Sequence, residues 1–323
     1  MLYKLLTQPG VKIFKSRATC LLLLLSTFLL SSYCPADKNF ARQQMHRVVE
    51  PKSRFFLITV IDSDDEIIGE RCKTDQEEVS DYFKDLTDWL GISSISIKNI
   101  DGNQFSKASV TDVIDNWLVS MQPGKNDIIV FYYSGHGFRL AGDKSTYPRM
   151  WLKTATDRDV DRNNLRLEED IYNPIVKLGA GVNIILSDCC NSVPGANMAF
   201  SGSLKKRESK KPATDEIDVD IADYEKLFSP NVPISIIATA SDASELAGGT
   251  ADVGGFFTMY FLDALDKSIY EDDLDANWNT ILNFAKEEAA KKALGALCPE
   301  NKHSPSGRCI QTAKFRIAES EEN

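Results

Sequence analysis

The sequence predicts an α/β protein built on a mostly parallel six-stranded sheet with helices on both faces. Two observations predict it: six short β-branched or aromatic runs bounded by turn residues, and, between them, longer stretches whose apolar residues recur at helical spacing. Alternation of this kind joins parallel strands through crossover helices.

The first run, RFFLITVID (54–62), is followed by TDQEEVSDYFKDLTDWLG, where Val79, Phe83, Leu86 and Leu90 share one helical face and Thr74 is expected to cap the start. A second strand, ISSISIKNI (92–100), leads into SKASVTDVIDNWLVSM, whose period is carried by Val110, Val113, Trp117 and Leu118. The third strand is NDIIVFYYS (126–134). Residues 138–165 hold too much turn chemistry for a helix and are expected to form a loop or small hairpin. LEEDIYNPIVKLG reads as a helix that carries Pro174, and GVNIILSD (181–188) as the fourth strand. Residues 192–228 pass from small residues through a basic run, KKRESKK (205–211), to an acidic one, which predicts a flexible loop of the kind proteases cut. The fifth strand VPISIIATAS (232–241), the helices GGFFTMYFLDALDKS and NWNTILNFAKEEAAKKALG, and the strand CIQTAKFRI (309–317) complete one domain over 52–318, with a tail at 319–323.

Ahead of that domain stand a leader, 1–36, and a linker, 37–51. Lys4, Lys12, Lys15 and Arg17 precede ATCLLLLLSTFLL, and small and polar residues follow it, the layout of a secretory signal cut near Ala36. Its apolar centre of about 13 residues is short of the roughly 20 needed to span a bilayer. Secretion or a periplasmic location is therefore expected, with membrane anchoring the alternative if the leader is retained. A net charge of −10 spread along the chain argues against general nucleic-acid binding and favours basic substrates. Of seven cysteines, Cys298 and Cys309 bracket a short polar loop and are expected to form a disulfide in an oxidising compartment.

The candidate site follows from strand ends. YYSGHG closes the third strand and SDCCNS the fourth, so His136 and a cysteine pair, Cys189 and Cys190, emerge at the carboxyl edge where open α/β sheets bind ligands. An imidazole there can take a thiol proton and return it to a leaving amine. Glycines on both sides of His136 let a substrate backbone approach.

These two motifs resemble those of the caspase-like cysteine peptidases, family C14, and within it the metacaspases. The interval from His136 to Cys190, 54 residues, is close to the roughly 50 of that group. FFLITVID resembles the family's first strand, and SIIATASDASELAGG with GGFFTMYFLDAL its smaller-subunit region, so the likeness covers about residues 52–318. It implies a caspase-like fold and makes Cys190, rather than Cys189, the nucleophile and His136 the general base and acid. The amides of Gly137 and Cys190 would hold the oxyanion. Cys72, Asp75, Ser134 and Asp188 match the positions that select Arg or Lys before the cut. Two carboxylates in one pocket call for a guanidinium or ammonium between them. Outside the resemblance, Asp75 also suits a helix N-terminus and Asp188 a turn cap.

Asn191 stands where the family commonly has His. Arg139, just past the histidine motif, keeps cleavage after Asp as an alternative, and a silent peptide-binding relative is a third reading. No cofactor is expected for the chemistry. Calcium is an expected activator only if Asp157, Asp159, Asp161, Glu168 and Glu169 act together; their spacing lacks an EF-hand's glycine, so a solvated acidic face is the competing reading. The substrate is expected to be a peptide or protein.

Overall fold

The computed structural model describes residues 53–89, 92, 94–193, 200–201, 221–269, 273–296 and 308–319. The leader, the linker, the basic run 205–211, Leu90 and Cys298 lie outside the described residues.

Six strands form one sheet: β1 (Arg54–Ile61), β2 (Ser94–Ile100), β3 (Ile128–Ser134), β7 (Val182–Asp188), β9 (Ile234–Thr239) and β12 (Lys314–Glu319). Their order is β12-β9-β7-β3-β1-β2, and every neighbouring pair is parallel except β12 with β9. Five match the predicted runs; the sixth, expected over 309–317, is shifted to Lys314–Glu319, and residues 309–313 precede it as irregular chain. β3 and β7 are buried at every residue, which is why they read as unbroken apolar runs rather than alternating ones.

Side chains leave each strand alternately to two cores. Phe55, Leu57 and Ile61 of β1 join Val79, Phe83 and Leu86 of helix α1 (Gly69–Trp89) on one face. Phe56, Ile58 and Val60 join Val110, Ile114 and Leu118 on the other. Burying one such phenylalanine is worth roughly 1.5–3 kcal/mol. The second face is covered by the helical stretches 107–121 (α2) and 167–176 (α3), each containing one π-helical turn, Val113–Leu118 and Leu167–Tyr172. α2 starts at Ser106, whose hydroxyl accepts from the Ser109 amide at 3.2 Å. Pro174 is tolerated because it falls in the first turn of the α-helical part of α3.

Two expectations are corrected. α1 begins at Gly69, so Thr74 lies inside the helix, its hydroxyl donating to the carbonyls of Glu70 and Ala251. The expected loop 192–228 also ends in structure: helix α4 (Ile221–Phe228) places Tyr224, Leu227 and Phe228 in the first core. Residues 138–165 do form a small antiparallel sheet, of β4 (Gly137–Phe138), β5 (Arg149–Trp151) and β6 (Asn164–Arg166). A third small sheet pairs β8 (Phe200–Ser201), β10 (Gly248–Thr250) and β11 (Gly254–Gly255). Helices α5 (Phe256–Ile269) and α6 (Trp278–Leu294) follow, the latter capped by Asn277. Cys309 is disulfide-bonded, while Cys72, Cys189 and Cys190 are thiols. No described helix is long and apolar enough to cross a membrane.

Candidate active site

Register brings the two sequence motifs together. Ser134 of β3 pairs with Asp188 of β7, and the same parallel register resumes at the bridge between Phe138 and Ser192. His136 and Cys190 each lie two residues beyond the Ser134–Asp188 pair, so they stand opposite one another at the carboxyl edge. Cys189 and Cys190 leave β7 in opposite directions, Cys189 into the second core and Cys190 into the first.

Gly137 is a steric requirement. A Cβ there would sit 2.3 Å from the Cys190 carbonyl oxygen and 2.4 Å from Cys189 Sγ. Trp151 N donates to the carbonyl of His136 at 2.9 Å, which makes Gly137–Met150 a non-hydrogen-bonded pair and turns the Gly137 amide away from β5.

Cys72, Asp75, Ser134 and Asp188 also gather, all fully buried or nearly so. Asp75 accepts from Ser134 Oγ at 2.6 Å and from the Gly255 amide at 2.6 Å. Asp188 Oδ2 accepts from both the amide and the hydroxyl of Thr258, in the first turn of α5, at 3.0 and 2.9 Å. The helix N-terminus thus supports that carboxylate. Gly254 and Gly255 leave room for the acids, since a Cβ on either would fall 2.1 Å from a carboxylate oxygen. Burial, and then the charge of Asp188, push Asp75 up to about 7. Burial raises Asp188 as well, against the pull of Arg71 and Thr258.

Arg71 is the resident cation of this pocket, and the sequence analysis missed it. It lies four residues before Asp75 on α1, is 5% exposed, and donates from Nη1 to the Ala247 carbonyl at 3.4 Å. Burial opposes its charge, but the carboxylates of Asp188 and Asp75 favour it. The helical i, i+4 spacing to Asp75 could have signalled it, had α1 been started at Gly69. Arg139, by contrast, donates from Nη2 to the carbonyls of Asp143 and Ser145, while its Nη1 is buried with no hydrogen-bond partner among the described residues.

The thiols are protonated at neutral pH. Burial pushes Cys190 up to about 11, outweighing the Ala247 amide that donates to its sulfur at 3.3 Å, and pushes Cys72 up to about 12. His136 is buried, and its Nε2 lies 3.2 Å from Asp65 Oδ2. The Lys153 ammonium contacts the same oxygen and lies 3.3 Å from Asp62. Asp62, Asp65 and His136 present ligand-type atoms within 4.8 Å of one another, and the Lys153 ammonium already contacts both carboxylates there. Sequence reasoning found neither Asp65 nor Lys153.

Three of the five acidic residues considered for calcium make other contacts. Arg162 pairs with Asp157 and Asp159, whose carboxylates also accept backbone amides, and Glu168 pairs with Arg316. Among the described residues these five do not form a cluster of ligating atoms.

The model of the Caspase domain family, Peptidase C14, matches residues 70–312. Among solved structures, the crystal structure of caspase-1 from Spodoptera frugiperda is similar at 11% identity and a TM-score of 0.47, over 81% of this chain and 85% of that one. No curated protein matches.

Proposed function

Because the chain belongs to the caspase-domain family of cysteine peptidases, we propose that it is an endopeptidase that cuts after Arg or Lys, with Cys190 as nucleophile and His136 as the proton carrier. The parallel register that sets His136 opposite Cys190 is the observation that carries the reading.

In this scheme Cys190 gives its proton to His136 as its sulfur attacks the scissile carbonyl. The resulting oxyanion is held by the amides of Gly137 and Cys190. The imidazolium then protonates the leaving amine, and water hydrolyses the thioester with His136 again as base. A resting thiol rather than a thiolate suits this order, in which the proton leaves as the bond forms.

The basic preference rests on charge balance. Asp75 and Asp188 with Arg71 give a buried set of two carboxylates and one guanidinium. An entering Arg or Lys makes it two and two, whereas an entering Asp would make three carboxylates to one cation, at a large desolvation cost. Arg71 is nonetheless the one observation that favours the second reading, cleavage after Asp. We also propose that the leader directs secretion or export to the periplasm, and that self-cleavage occurs in the basic run 205–211.

The test is turnover of fluorogenic peptides ending in Arg, Lys or Asp by the mature protein, with and without calcium, beside Cys190→Ala. Arg or Lys peptides are expected to be cut and the variant to be silent. Asp peptides cut instead would install the second reading, and no turnover of any peptide by folded protein would overturn the peptidase assignment for this chain.

A further inference from the structure

The sheet order reverses at β1, which has β2 on one side and β3 on the other. The carboxyl end of a strand at such a switch point faces the site. β1 delivers Asp65 there, and the reaction scheme above makes no use of it. We propose that Asp65 is the positioning residue of His136, fixing the tautomer and the direction in which the imidazole presents its basic nitrogen to Cys190. The inference rests on the reading of His136 and Cys190 as the reacting pair.

Each atom of the Asp65 carboxylate has a fixed task. Oδ1 accepts the amides of Ile67 and Ile68, both at 2.9 Å, which ties the carboxylate to the turn that opens α1. Oδ2 meets His136 Nε2 at 3.2 Å and the Lys153 ammonium. Burial works against the charge of Asp65, but the bonds from His136, Lys153 and the two amides hold it well below the usual carboxylate range. A carboxylate can only accept, so the hydrogen on the ring sits at Nε2 and the lone pair at Nδ1.

The rest of the ring is equally constrained. The His136 carbonyl accepts from Tyr133 Oη at 2.6 Å and from Trp151 N at 2.9 Å. The Trp151 ring packs 5.8 Å from the imidazole, and the Lys153 ammonium lies 5.1 Å over that same indole. Nδ1 is buried with no hydrogen-bond partner among the described residues. It is the ring atom left for the substrate reaction.

Lys153 gives the arrangement its direction. When Nδ1 takes the Cys190 proton, the new positive charge at His136 is opposed by Asp65. The ammonium bonded to the same oxygen disfavours transfer of the Nε2 proton onto the carboxylate. The proton therefore stays on the ring, where it can be returned to the leaving amine.

The experiment compares wild type, Asp65→Asn and Asp65→Glu in the mature chain, using the peptide cut best in the screen above. Asparagine keeps an oxygen for the Ile67 and Ile68 amides, so thermal melts serve as the folding control. For Asp65→Asn, kcat is expected to fall by about 100-fold with KM changed less than about twofold, and Asp65→Glu to recover part of the loss. Imidazole 15N correlation spectra, assigned against His136→Ala, are expected to show hydrogen on Nε2 in wild type and a mixed or reversed tautomer in Asp65→Asn. An unchanged kcat, or a tautomer indifferent to Asp65→Asn, overturns the proposal. If wild type cuts nothing, the peptidase reading fails on its own, while the spectra still decide whether Asp65 sets the ring.

Discussion

At the scale of single residues, the site is defined as much by what is missing as by what reacts. Gly137 has no Cβ because Cys189 and the Cys190 carbonyl occupy that space. Gly137→Ala is expected to push β4 away from the β7 end, costing about 1–3 kcal/mol by overpacking and removing most turnover. Chemical denaturation beside peptide kinetics checks both effects, and an active, fully stable variant would mean that the strand ends tolerate separation. The histidine and cysteine motifs were legible because each closes an apolar strand with a side chain of distinctive chemistry, and the four pocket residues only through the family resemblance. Asp65, Lys153 and Arg71 were not. Their roles come from partners 71, 88 and 176 positions distant in sequence, His136, Asp65 and Ala247, and nothing local marks them apart from surface charges.

Elements explain which parts of the fold could be read in advance. Strands buried on both faces are near-continuous apolar runs, so β3 and β7 were plain. The start of α1 was obscured because its first two turns hold Arg71, Cys72 and Asp75, residues chosen for the pocket, and the apolar period begins only at Val79. α4 was hidden differently: Tyr224, Leu227 and Phe228 have helical spacing, but the acidic residues before them read as loop. At the other side of the pocket, α5 acts through its first turn. Thr258→Val removes one of the two Thr258 bonds to Asp188 and also the Thr258 contact with the Tyr132 hydroxyl at 2.7 Å. A loss of about 1.5–3 kcal/mol is expected, the range for a hydrogen bond to a charged group. For Arg peptides the change should fall on KM more than on kcat. Equal losses in both would place Thr258 in the chemistry rather than in the pocket wall.

For the whole molecule, the buried acids make stability depend on pH. Asp75 sits at about 7 when folded, above the ordinary carboxylate value, so between about pH 4 and 7 the folded chain binds a proton that the unfolded chain has released. Its contribution is full below that window and is lost as pH rises through it. Asp65 runs the other way: its folded value is lowered, so its contribution is present at neutral pH and fades only as pH falls into the acid range. Melting temperature should therefore decline by several degrees from about pH 5 to 7.5 in wild type, and Asp75→Asn should flatten the decline; an unchanged slope would assign it to other groups. The same pocket has a further consequence, through Arg71. Asp188 and Asp75 both favour the charge of Arg71, and the fold holds that guanidinium near them at a concentration that dilution does not change. On the proposed preference for Arg or Lys, an incoming basic side chain shares the two carboxylates with Arg71 instead of meeting them alone. Its binding is then weaker than in a pocket without Arg71, which would disfavour loading by free arginine, polyamines and short basic peptides.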